Sequence, residues 1–98
     1  MIVRFRTRAL KRAAEDGAEA VRRWGPQVGP RYVQRTRALA DLGQWADVFT
    51  IRSWRAHPHH ERRGSHAIVV TGRWRIEVSP DPSSNEVMIE EVNNHYGN

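Results

Sequence analysis

The chain has 98 residues, 39% of them hydrophobic and none of them Cys, with a formal net charge of +5. Without thiols there is no disulfide scaffold, no zinc ribbon and no cysteine catalysis. No apolar run approaches the roughly 20 residues that span a bilayer, and Met1-Ile2-Val3-Arg4-Phe5-Arg6 lacks the apolar stretch of a secretory signal, so a small cytoplasmic protein of one domain over 1–98 is expected.

In chain order, Ile2-Val3-Arg4-Phe5 reads as a short strand. Residues 7–22 are rich in Ala and Arg, both good helix formers, which predicts a helix at least to Asp16. Gly25-Pro26 and Gly29-Pro30 punctuate the next stretch of chain. Pro30 fits the first position of a second helix, with Gly29 as its cap. Tyr32, Leu39, Leu42 and Ala46 then fall on one helical face, and Arg31, Arg35 and Arg37 fall off it, toward solvent or a partner.

After Asp47, Phe49-Thr50-Ile51 leads into Trp54-Arg55-Ala56-His57, and Pro58 ends the strand expected there. His66 to Thr71 is a β-branched run of the kind found in buried strands, and Thr71-Gly72 predicts a tight turn. From Arg73 to Val78 the pattern alternates: Trp74, Ile76 and Val78 take one face, and Arg73, Arg75 and Glu77 take the other. A loop over 80–85 precedes a last strand from Glu86 to Val92. This order predicts an α+β fold with two N-terminal helices packed on one face of a mainly antiparallel sheet. The other face is expected to be free, with Arg73 and Arg75 on it.

The charge is uneven. Fifteen of the sixteen basic residues are Arg, and they form two blocks, 4–37 and 52–75, whereas residues 77–98 carry five acids and no base. Two basic blocks suit a polyanion, because each neutralised phosphate releases counterions and the guanidinium fork matches phosphate oxygens. Four of the five His fall between His57 and His66. Their spacing is not that of a helical zinc motif and only Glu61 lies among them, so no metal and no other cofactor is expected. A metal-free alternative is RNA cleavage by the 2′-hydroxyl. It needs a base, an acid and positive charge on the phosphate, and His and Arg supply these. His57, Arg62, Arg63, Arg75, His95 and Tyr96 are the candidate set if their strands are neighbours.

These stretches resemble the HigB-like branch of the RelE/ParE toxin superfamily of type II toxin–antitoxin systems. The resemblance lies in Trp54-Arg55-Ala56-His57-Pro58, Glu61-Arg62-Arg63-Gly64, Gly72-Arg73-Trp74-Arg75-Ile76 and Val92-Asn93-Asn94-His95-Tyr96, with a weaker match at Ile2 to Arg6 and Leu10-Lys11. It implies a RelE-like fold and a toxin that cleaves messenger RNA on the ribosome. The partners it implies are a cognate antitoxin with a helix-turn-helix, HigA-like, and operator DNA reached through that antitoxin. It implies His57, Arg75 and His95 as catalytic residues and Arg62 and Arg63 as RNA-binding residues; by residue type and position, Tyr96 joins the catalytic set and Arg73, on the open face, joins the RNA-binding set. Many relatives end in Asp-Tyr-His where this chain reads Asn93-Asn94-His95 followed by Tyr96, so an acid has become an amide that cannot titrate. The alternatives are a ParE-type toxin acting on DNA gyrase without nuclease chemistry, and an inactive toxin that serves as corepressor.

Overall fold

The computed structural model describes residues 1–94. Strand β1 (Ile2–Phe5) leads into helix α1 (Arg8–Glu15). The Thr7 hydroxyl caps α1 by accepting the Leu10 N–H at 3.1 Å. Leu10, Ala13 and Ala14, at helical spacing, are its buried face. Asp16 is extended; it ends α1 and caps α2 (Gly17–Asp41), its carboxylate accepting the Ala18 N–H at 3.0 Å.

Helix α2 is broken once, at Gly25, where φ is 87° and ψ is 173°. The second helix was expected to begin at Pro30; the restart, at Pro26, lies four residues earlier. Gly25 adopts a backbone conformation closed to residues with a Cβ, and Pro26 restarts the helix at the position where its missing N–H costs nothing. Gly29 therefore does not cap. A Cβ there would lie 2.7 Å from the carbonyl carbon of Ala20 and the nitrogen of Val21, so the two halves of α2 touch backbone to backbone. Tyr32 joins them to α1. Its hydroxyl donates to the Leu10 carbonyl at 2.7 Å, and its ring packs on Trp24 with centroids 4.6 Å apart.

Arg35 corrects the view of the helix charges. It is buried, not turned to solvent: Nε and Nη2 donate to the Val69 and Val70 carbonyls, each at 3.3 Å, and the guanidinium lies 5.6 Å from the Trp54 ring centre. Burial holds its pKa below the ordinary value. The strand expected from Phe49 is also replaced. Two 3₁₀ turns, Trp45–Thr50 and Arg52–Trp54, occupy this stretch. Asp47 accepts the Gln44 N–H and the Thr50 hydroxyl donates to the Asp47 carbonyl, so local side-chain bonds favour the turn over a ladder. Trp45, not Ala46, enters the core.

The sheet runs β1-β5-β4-β3-β2, with β2 (His57–Pro58), β3 (His66–Thr71), β4 (Trp74–Asp81) and β5 (Glu86–Asn94). β1 pairs parallel with β5, and every other pair is antiparallel. Pro58 is tolerated because β2 is an edge strand. Gly72, at φ +55°, and Arg73 form the β3–β4 turn, so Arg73 is a turn residue and not part of the alternating face. Pro80 and Asp81, expected in a loop, extend β4. The helices cover one face of the sheet, where Ile68, Val70, Ile76, Val78, Val87 and Ile89 form the core with Leu10, Tyr32 and Leu39. The α+β layering is as expected. No helix among the described residues is long and apolar enough to cross a membrane.

The Ala20–Gly29 contact gives a stability test. Gly29→Ala forces two backbones apart and should lower the unfolding free energy by about 1–3 kcal/mol, as overpacking does. Gly17→Ala, at a helix start with nothing within 4 Å of the added methyl, should raise it by about 0.4–1 kcal/mol. Urea melts of the two variants compare them directly.

Candidate functional site

Strand register lays one row of side chains across the sheet face away from the helices. His57 pairs with Ala67, Ala67 with Glu77, and Glu77 with Glu91. The adjoining row holds Val69, Arg75 and Asn93. This face was expected to be free, but the segment between β2 and β3 folds back over part of it. The fold-back is built locally. Gly64, at φ +82°, permits a turn in which the Ser65 N–H donates to the Arg62 carbonyl at 3.1 Å. The His59 N–H donates to the Ser65 carbonyl at 2.8 Å, and the buried Ser65 hydroxyl donates to the Val78 carbonyl at 3.4 Å.

Between the segment and the sheet is a cleft of about 40 Å³, with His57, His59, His60 and Glu61 on one side, Arg75 and Glu77 on the other and Ala67 in its floor. The two inner imidazoles are held in different tautomers. His57 Nδ1 lies 2.7 Å from the Arg55 carbonyl. A carbonyl only accepts, so Nδ1 is the donor there, and in the neutral ring Nε2 holds the lone pair. Arg55 reaches this geometry in a left-handed conformation, φ 45° and ψ 42°. His59 is the reverse: Nδ1 accepts the Glu61 N–H at 3.1 Å, so Nε2 carries the proton and donates to Glu77 Oε1 at 2.9 Å.

Glu77 is 2% exposed, the one carboxylate among the buried charged residues described. Arg62 Nη1 lies 3.6 Å from its Oε2, and Asn93 Nδ2 donates to the same oxygen at 3.1 Å. Asn93 Nδ2 also donates to Glu91 Oε1. Burial raises the Glu77 pKa, and a hydrogen bond to Glu91 and its charge add to the rise, against Arg62 and His59. The Glu91 pKa is lowered by the same hydrogen bond and by Asn93. As pH falls, Glu77 is therefore the carboxyl of the pair that takes up a proton first.

The expected site residues separate on this geometry. His57 and Arg75 line one cleft, although β3 lies between their strands. Arg75 Nη1 donates to the Gly72 and Trp74 carbonyls at 2.9 and 3.2 Å, which ties its guanidinium to the β3–β4 turn. Arg62 reaches the cleft's far wall through Glu77, while Arg63 is exposed on the fold-back. Arg73, in the β3–β4 turn, is not in the cleft wall. His95 and Tyr96 lie outside the described residues. His66 belongs to the other side of the sheet, against Trp45 and Phe49 at 5.1 and 6.0 Å, so it cannot join the other His. Among the described residues no group of three or more His, Asp or Glu is gathered as a metal ion requires.

His59, Glu77, Glu91 and Asn93 were not anticipated as site residues. The alternation of Arg75 with Glu77 and of Glu91 with Asn93 carries half of the signal. The other half is the β4–β5 register, where an irregularity after Glu77 sets Glu77 opposite Glu91 and Val78 opposite Ile89.

No protein-family model matches this chain, and no curated protein matches it either. The cleft is therefore read from its own chemistry.

His66 yields a test of pH dependence. Burial holds its pKa below the ordinary 6.5, and its buried Nδ1 has no hydrogen-bond partner among the described residues. The folded state resists a proton that the unfolded chain accepts, so stability is full above about pH 6.5 and falls as pH drops below it. His66→Phe, which keeps an aromatic ring against Trp45 and Phe49, should flatten the fall between pH 7.5 and 5.5. Thermal unfolding midpoints across that range measure it.

Proposed function

We propose that this protein is an endoribonuclease toxin of the RelE/ParE type, with the motifs of the HigB-like branch, and that it cleaves messenger RNA on the ribosome. The observation that carries the reading is the meeting of His57 and Arg75 in one cleft, with the Arg55 carbonyl engaging His57 Nδ1 and leaving Nε2 as the other ring nitrogen. In the proposed reaction, His57 Nε2 takes the proton of the 2′-hydroxyl. The 2′-oxygen bonds to phosphorus, and the bond from phosphorus to the 5′-oxygen breaks. The departing 5′-oxygen takes a proton from His95, with Tyr96 beside it in sequence. The products are a 2′,3′-cyclic phosphate and a 5′-hydroxyl. Arg75 stabilises the charge that grows on the equatorial oxygens, and the scheme requires no cofactor.

Arg62 and Arg63 have the reach and charge to hold flanking phosphates, and Arg73 extends the basic surface at the β3–β4 turn. A net charge of +5 also fits a protein covered by an acidic antitoxin when at rest. In this reading the antitoxin is a HigA-like helix-turn-helix protein, and operator DNA is bound through it.

The deciding experiment incubates the protein with translating ribosomes and maps messenger breaks by primer extension. His57→Ala and Arg75→Ala should each lower the cleavage rate by about 10²-fold or more, with the fold checked by circular dichroism. No cleavage above that of the double variant overturns the reading. Loss of gyrase supercoiling activity on addition of the protein, without messenger breaks, would point to the ParE-type alternative.

A further inference from the structure

Glu77 is more buried than any other carboxylate among the described residues, yet its partners come from outside its own strand. From β5 come Glu91, directly opposite, and Asn93, whose Nδ2 bridges both carboxyls. From the fold-back come His59 Nε2 at 2.9 Å and Arg62 Nη1 at 3.6 Å. His57, His60 and Glu61 face it across the cleft, Arg75 lies beside it on β4, and the charge of Arg6, beyond β1, reaches Glu91. Ser65 holds the end of the fold-back to the Val78 carbonyl, and His57 and Pro58 pair with β3 at its start. Its middle, where His59 and Arg62 lie, is held to the sheet through Glu77.

We infer that Glu77 is a positioning residue for the cleft: it latches His59 and Arg62 onto the sheet, and Glu91 with Asn93 sets how firmly the latch holds. Arg62 is the moving part with consequences. Its side chain is 58% exposed: one end of the guanidinium forms an ion pair with Glu77 while the rest is open to a phosphate. An ionised Glu77 draws Arg62 down. A protonated Glu77 keeps only its hydrogen bonds and lets Arg62 go. Glu91 acts through Glu77, because its negative charge opposes ionisation of its neighbour.

The role in RNA cleavage rests on the function proposed above, but the latch is measurable in the free, full-length chain. Hydrogen exchange at the His59 and Ser65 amides reads local opening of the fold-back. In the wild type their protection factors should fall as pH drops and Glu77 takes up a proton. Glu91→Gln removes the charge that raises the Glu77 pKa, so the fall should move to lower pH. Glu77→Gln retains an oxygen for His59 Nε2–H and removes the charge. Protection there should be about tenfold lower at pH 7 and should no longer vary across the acid range. Core amides at Ile76 and Ile89 serve as the folding control and should be unchanged in both variants.

Equal protection in wild type and Glu77→Gln at every pH overturns the latch. So does an acid midpoint that Glu91→Gln leaves in place, since a merely structural carboxyl would not make the fold-back follow its neighbour's charge. These results do not depend on RNA. A working latch without messenger cleavage would refute the nuclease reading alone, and messenger cleavage with unchanged protection would refute the latch alone.

Discussion

One carboxyl group in the middle of the sheet organises the face on which the proposed chemistry lies. Taking a carboxylate out of water is costly unless charge and hydrogen bonds replace the water. Glu77 meets that requirement from two directions. Glu91 and Asn93 come to it through the β4–β5 register, and His59 and Arg62 come to it over the sheet. The cleft exists because the second pair had to reach across. His57 and Arg75 face each other over the space this leaves, and Ala67, the small residue between Glu77 and β2, keeps the floor low.

The helical layer serves the site through fewer links. Arg35 donates to two carbonyls of β3 and lies over Trp54, so a single guanidinium ties α2, β3 and the second 3₁₀ turn together. Trp54 is buried, and the next residue, Arg55, takes the left-handed conformation that aims its carbonyl at His57 Nδ1. The orientation of His57, on which its proposed use as a base depends, thus traces back to packing beneath the helices. A change at Arg35 or Trp54 would be felt in the cleft without touching it.

Much of the architecture was legible because it rests on local rules. The β-branched run at His66–Thr71, the alternation from Trp74, the turn at Gly72 and the Ala-rich first helix are written in residue type and period, and each appears where expected. The errors have physical causes of their own. Two Gly-Pro pairs look alike in sequence, but only Gly25 takes the left-handed backbone, while Gly29 is small because Ala20 passes it. The stretch around Phe49 has the composition of a strand, but Asp47 and Thr50 bond within it and wind it into a turn. The site divides in the same way. His57 and Arg75 stood out by residue type. Glu77 alternates onto the face expected to be free, and nothing in its neighbours announced that it would be buried.

By itself, the sequence determined the order of elements, which residues of β3 and β4 enter the core, and a basic chain whose His and Arg suit chemistry on a phosphate. Those properties follow from side-chain period, propensity and charge, which act over a few residues. The tertiary structure alone decided that His66 faces the core while His57 and His59 face a cleft. It also decided that Arg35 is interior and that Glu77, Glu91 and Asn93 form one network. Such outcomes depend on strand register, on a bulge in β4–β5 and on a segment folding back over β3 to β4. They are set by contacts between residues far apart in the chain, where no local pattern records them.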